Sequence, residues 1–406
     1  MSATRTQLDL TPPPVLKTLS RWLLIAGVIF ALISAWLAFA RPDEFYPAYL
    51  LGFMDWLGVA LGSMAIIMIR HLTGGGWGVV IRRVQGAAMR TLPVLTILFI
   101  PLLIAVAQKK MYPWAMPLNA ISDDHIREHL AKQPFITESY LNFRGFLIRA
   151  IIYFAIWNVL SFLLSKWSIE GDSRSARDNT QRFKAVSGPG LILYAFTITF
   201  AVIDWVMSLD PTWISTIFGL IILIGELLSA ICFAVFVESI LVKYKPMSDL
   251  LKPDFVHDHG KWMLTFTMVW AYFSFSQWLI IWAGNLPNEI SFYLRRLNNG
   301  WGWIGFILAF LGFALPFAIL LSRPFKRDIR KLVWLAIWIL FIRWTDLLWI
   351  IEPNFSKTFR ITIADVVVSV AIGCLWMAYF FRNLASLPLL PIYDAQASEV
   401  LEHGGH

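Results

Sequence analysis

Ionisable side chains embedded in long apolar runs are the residues of this chain that could do chemistry. Asp55, Arg149, Asp204, Glu226, Glu238, Arg343, Asp346 and Asp365 each interrupt such a run, and His71 closes the one that holds Asp55. A charge in that setting costs ~2.5–3.5 kcal/mol on insertion scales, so each needs a compensating role. Carboxylates held in a low dielectric can pick up and pass protons. The sequence thus predicts a proton path through Asp55, Asp204, Glu226, Glu238 and His71, with Glu226, beside Gly225 and deep in its run, as the midplane relay. The other chemistry open to these groups is a polar pocket near the outer surface that recognises a quinone head group. Arg149, Arg343, Asp346 and Asp365 are the candidates for that pocket or for plain ion pairs. Arg343 and Asp346, three apart on one helix face, are expected to neutralise each other. Asp55, Arg149 and Asp365 lie shallow enough to meet head groups or water.

Other residue types exclude chemistry. The seven histidines are His71, His125, His129, His257, His259, His403 and His406, all read as loop, tail or helix-end positions. A membrane di-haem cytochrome needs mid-membrane pairs of histidines, so haem b is not expected. His125/His129 and His257/His259 have spacings that can hold a metal, but exposed loop pairs are more often solvated, and no metal is expected. The two cysteines, Cys232 and Cys374, sit singly inside apolar runs and make no CxxC, which offers no thiolate site for zinc, iron–sulfur or c-type haem. Gly74-Gly75-Gly76 follows no strand and reads as a turn, not a phosphate loop.

These residues must be positioned by membrane helices. Of 406 residues, 58% are hydrophobic and 15% charged, with 20 Trp and 31 Phe. That is far more apolar than a soluble chain of about 45–50% apolar and 25% charged residues. The fold class predicted is an all-α polytopic membrane protein with ten spans, at 21–40, 47–70, 89–108, 144–165, 190–209, 213–242, 262–284, 300–322, 330–350 and 361–381, each of about the 20 residues a bilayer demands. Residues 1–20 and 383–406 are read as tails around a single membrane domain, 21–382. The first apolar run lacks a small-residue cleavage site and is read as a helix. Pro93, Pro101 and Pro316 fall within spans and should kink them. The Trp residues, including Trp278, Trp282, Trp301 and Trp303, read mostly as interface anchors. With the N-terminus inside, inner segments carry 22 Lys and Arg against 9 outside, which predicts both tails in the cytoplasm. The net charge of +8 therefore reflects loop basicity, and no nucleic-acid partner is expected.

Several motifs carry a resemblance. Phe53-Met54-Asp55-Trp56-Leu57-Gly58 with Gly62-Ser63, Arg90-Thr91-Leu92-Pro93, Tyr112-Pro113-Trp114, Lys132 through Tyr140-Leu141-Asn142, then Arg149, Tyr153-Phe154 and Trp157 resemble the NrfD-like family of quinone-site membrane subunits. The pattern is most similar to the second such subunit of alternative complex III, the bacterial quinol:electron-acceptor oxidoreductase, and covers most of the chain. The resemblance implies two four-helix bundles, from the second to fifth and sixth to ninth helices, with two peripheral helices. It implies a bacterial cytoplasmic (inner) membrane location. It implies partners: a sister NrfD-like quinol-oxidising subunit, an outer-face iron–sulfur subunit and haem c subunits, with the haem c and iron–sulfur clusters in those partners. The quinol-oxidising sister is expected to carry a His and an Asp at its quinone site. This chain places no His in the outer half of a span. The resemblance thus implies a subunit without its own redox centre, holding a quinone or lipid at most, that supports assembly and proton translocation. Two alternatives stay open: the quinone-binding anchor of a molybdenum or polysulfide reductase, and a proton-coupled secondary transporter.

Overall fold

The structure, a computed structural model, describes residues 11–172 and 180–390. The tails assigned to 1–20 and 383–406 therefore fall partly outside the described residues, as do His403 and His406. Ten helices long and apolar enough to cross a membrane run through the described chain: α1 (Val15–Ala40), α2 (Pro42–Thr73), α3 (Trp77–Ala107), α4 (Phe143–Glu170), α5 (Thr180–Leu209), α6 (Phe218–Leu241), α7 (Pro253–Gly284), α8 (Trp301–Leu321), α9 (Ile329–Asn354) and α10 (Ile363–Leu384). The protein is an all-α, multi-pass membrane protein.

Most helices outrun their apolar cores, because polar residues in the end turns still bond along the helix. α1 starts at Val15, directly after Pro14, six residues before the expected span. Proline suits that place, since the first backbone N–H groups of a helix have no internal partner. α7 likewise starts at Pro253 and carries Asp254, His257 and His259 into the helix. α3 begins at Trp77, twelve residues before its expected start, and its basic residues Arg82 and Arg83 are buried in the protein. It then breaks at residues 90–91 and again at Phe99, next to Pro93 and Pro101, as the prolines foretell.

α1 packs on α10, and α10 on α2, so the first and last helices form a peripheral pair. α2 to α5 pack among themselves, as do α6 to α9, and α2 and α6 join the two groups. Small residues set that junction. A Cβ on Gly62 of α2 would run into the backbone carbonyl of Glu226 in α6, and one on Gly58 would lie 3.1 Å from the Glu226 Cγ. One on Gly52 would stand 2.8 Å from the Ser369 Cα of α10. Close backbone approach over small residues is how helices associate where lipid removes the hydrophobic drive.

The two ends of the bundle differ. The end away from the termini carries residues 108–142, which include a helix at Asp124–Lys132, and a second helix at Pro287–Leu297. Arg295 ties these segments together through Asp123 at 3.4 Å and Asp210 at 3.0 Å. Its neighbour Arg296, 1% exposed, donates to the carbonyls of Phe292 (2.9 Å), Trp349 (3.0 Å) and Ile350 (2.5 Å). Burial pulls the Arg296 guanidinium down to about 9, which still leaves it charged at neutral pH. Arg296→Met should therefore destabilise the protein by about 2–3 kcal/mol, the scale of lost hydrogen bonds to a charged group. Unfolding of the variant in mixed micelles of mild detergent and dodecyl sulfate checks it; a midpoint unchanged from the wild type would refute the role.

Trp303 and Trp282 are exposed at the surface, 73% and 63%, as membrane anchors are. Trp301 is not an anchor: it is fully buried and donates its indole N–H to the Ser356 carbonyl at 3.2 Å. Its place at the start of α8, under the connection between α9 and α10, draws it inward.

Candidate functional site

The densest set of membrane-embedded charges lies where α2, α6 and α9 meet. Tyr194 of α5 donates its hydroxyl to Glu226 Oε2 at 2.5 Å, while Glu226 Oε1 is buried with no hydrogen-bond partner. Arg343 pairs with Asp346 one turn along α9. Its guanidinium lies over Gly225, so closely that a Cβ there would collide with it. The same guanidinium acts electrostatically on Asp55 of α2 and on Glu226. Glu226, Arg343 and Asp346 are each only 4% exposed. The glycine beside Glu226 is thus explained: it makes the room that lets one cation serve three carboxyl groups on three helices. Arg343 and Asp346 do form the expected pair, and Asp55 and Glu226 join it.

Arg149 and Asp204 form a second unit. Arg149 Nε lies 2.8 Å from Asp204 Oδ2, which also accepts from the Tyr153 hydroxyl at 2.8 Å. Arg149 donates to the Tyr140 carbonyl at 3.0 Å, and its guanidinium stacks 3.9 Å above that residue's ring. Asp204 is fully buried and keeps Oδ1 without a partner. Around the pair stand Trp205, Trp157 and Phe154. Asp204, placed by sequence with Asp55 at the outer end of the proton path, is thus the counter-charge of Arg149.

Toward the terminal end, His71 and Glu238 make separate contacts. His71 Nδ1 meets the Ser187 hydroxyl at 3.0 Å, and its ring stacks on Phe183 with centroids 4.2 Å apart. Glu238 Oε2 instead meets His259 Nδ1 at 3.0 Å, and His259 Nε2 lies 2.8 Å from the Trp77 carbonyl. A carbonyl only accepts, so Nε2 carries hydrogen and Nδ1 shares the second proton with Glu238. The pair is neutral as a unit wherever that proton rests. Three helices, α3, α6 and α7, are pinned by it. His259 is fully buried inside α7, not in a loop, which corrects its reading as half of a solvated His257/His259 pair.

Asp365 serves a different purpose. Its carboxylate accepts from the Thr362 backbone N–H at 2.7 Å, while the Thr362 hydroxyl accepts from the Asp365 N–H at 3.2 Å, a reciprocal cap at the start of α10. Its carboxyl group also contacts that of Glu352, and both residues are buried. Among the described residues no hydrogen bond links these clusters to one another.

Tyr194, Ser187 and Glu352 were not singled out by sequence, and Tyr153 and His259 stood there only as a motif residue and as half of a solvated pair. Pro253, at the position a helix start favours, was the available signal that α7 begins early enough to contain His259. Tyr194 carried none, since a tyrosine in an apolar run looks like an aromatic wall.

Set against known proteins, the chain matches no family model and no curated sequence. Among the described residues no cluster of three or more His, Cys, Asp or Glu is arranged to hold a metal ion. The arrangement that is present can hold and exchange protons: carboxyl oxygens without partners on Glu226 and Asp204, each beside a tyrosine hydroxyl and a guanidinium.

Proposed function

We propose that this integral membrane protein is a subunit of a quinol-oxidising electron-transfer complex, an alternative complex III of the bacterial cytoplasmic membrane, in which it supports assembly and carries protons. The NrfD-like resemblance of the sequence motifs supports the complex. The observation that supports proton transfer is the unpartnered, buried Glu226 Oε1 beside Tyr194, within the field of Arg343. In this reading Glu226 takes and yields a proton at Oε1. Arg343 holds the neighbouring carboxylates in place, Asp55 and the Asp204–Arg149 unit serve the outer side, and His71 and the Glu238–His259 pair serve the cytoplasmic side. Both termini are cytoplasmic. Haem c and iron–sulfur clusters reside in partner subunits, and a sister NrfD-like subunit oxidises the quinol.

The test is mass spectrometry with a redox difference spectrum on the gently solubilised native protein. Stoichiometric haem c proteins, an iron–sulfur subunit and a second ten-helix subunit are expected. Recovery of the chain alone, without chromophore, would overturn the reading and leave a proton-coupled transporter in its place. The interruptions of α3 and α8 favour that second reading, because transporters build their sites from broken helices.

A further inference from the structure

A cavity of about 640 Å³ opens between α7, α8 and α9 beneath the Pro287–Leu297 helix, with Phe218 and Ile221 of α6 and Asp346 of the charged cluster in its wall. Its size falls in the ~300–1,000 Å³ range of sites that take small organic ligands. The mouth faces sideways. Tyr272 and Phe275 on its rim are 66% and 58% exposed, on the surface of a membrane-spanning helix. Whatever fills the cavity enters from the bilayer and has an apolar portion.

The walls say what the polar portion is. Trp270, 6% exposed, lines the cavity, and its indole N–H interacts with the Asp346 carboxylate without reaching full hydrogen-bond geometry. Tyr293 also lines it. Its hydroxyl oxygen accepts from Gln277 Nε2 at 3.3 Å, which leaves the hydroxyl proton to donate. Gln277 in turn has its carbonyl oxygen engaged by the Ser215 hydroxyl at 2.8 Å. The cavity therefore presents donors. The one charged lining residue, Asp346, is already neutralised by Arg343, and no Lys or Arg lines the space. A phosphate would meet a carboxylate and no cation there, at the high cost of an unpaired charge in low dielectric. A head group that accepts hydrogen bonds and bears no charge fits.

The helix on one side of the mouth is adapted to the space. α8 widens into a π-helical stretch at Leu308–Ala314, and Leu308 and Phe313 from that stretch form part of the wall. Pro316 is the cause, since it can offer no N–H to the Gly312 carbonyl and its ring crowds that oxygen. π-helical turns of this kind are frequent at functional sites.

We propose that this cavity is a lateral binding site for one uncharged membrane lipid, with a hydrogen-bond-accepting head against Trp270 and Tyr293 and its tail leaving between α7 and α8 into the bilayer. The site stands independently of the electron-transfer reading.

Native mass spectrometry of the purified assembly tests it, with three added probes: a decyl-tailed benzoquinone, dioctanoylglycerol, and dioctanoyl phosphatidylglycerol as the charged control. One neutral probe should bind at one molecule per chain. Trp270→Phe, which keeps an aromatic side chain but removes the N–H together with the five-membered ring that bears it, should weaken it at least about five-fold, the worth of one hydrogen bond. Leu308→Trp, which fills the space, should abolish it. Binding of the quinone or of the glycerolipid alone identifies which neutral head the site takes, and either supports the proposal. It is overturned if neither neutral probe binds, if the charged control binds with the same sensitivity to these substitutions, or if neutral binding ignores Trp270→Phe. The last arm holds even where Leu308→Trp fails to fold.

Discussion

Arg343→Met should be among the most damaging single substitutions in the membrane domain, costing about 3–5 kcal/mol, the scale for removing one partner of a buried ion pair. The guanidinium is paired with Asp346 and acts on Asp55 and Glu226, so its loss leaves carboxyl groups on three helices without their shared cation. Methionine fills similar volume, which makes the charge the variable under test. The double variant Arg343→Met/Asp346→Leu removes both members of the direct pair. Because buried ion pairs can often be exchanged for packed apolar residues with little loss, it should recover about 2 kcal/mol of the single variant's deficit. Unfolding in mixed micelles, read by tryptophan fluorescence, measures both. Equal deficits in single and double variants would mean that Arg343 balances Asp55 and Glu226 more than Asp346. Adding Asp55→Asn would then restore the stability instead.

The presence of ten membrane helices was legible in the sequence because a bilayer imposes one simple demand, about 20 apolar residues per crossing. That demand says little about where a helix stops. α3 and α7 extend past their apolar cores since Arg82, Arg83 and His259 find partners or burial within the protein, which hydropathy cannot register. The candidate site divided along the same line. Arg343 with Asp346 was readable because both partners lie on one helix, three residues apart. Arg149 with Asp204 was not, as 55 residues separate them and only the packing of α4 on α5 brings them together. Glu238 with His259 failed for both reasons at once. The role of Asp365 as a cap was written in Thr362-Ile363-Ala364-Asp365, a hydroxyl residue followed three positions later by a carboxylate, but it was masked by the expectation that any acid in a span is costly. Gly225 shows how a neutral residue can matter as much as a charged one: the absence of its side chain is what lets the Arg343 guanidinium reach the centre of the bundle.

Glu226→Gln separates structure from proton transfer at that centre. The amide keeps the size of the carboxyl group, and its carbonyl oxygen still accepts the Tyr194 hydroxyl that now meets Oε2 at 2.5 Å. It cannot gain or lose a proton. Within the proposed electron-transfer complex, assembly and quinol-driven electron flow should therefore persist, while the protons carried beyond the one per electron that quinol oxidation itself releases should be lost with the positioned acid–base group. The measurement is proton uptake and release by the complex in sealed liposomes, followed with a pH-sensitive dye against the electrons delivered to the acceptor. Glu226→Asp should retain part of the function, since it keeps a titratable group one methylene shorter, and Tyr194→Phe should slow transfer without ending it. A proton-to-electron ratio unchanged in Glu226→Gln would sink the relay and leave the buried carboxyl groups as structural charges gathered around Arg343. A ratio that collapses in Glu226→Gln but recovers in Glu226→Asp would place the proton on this side chain, because the two variants differ from wild type by similar small changes in packing and only one of them can titrate.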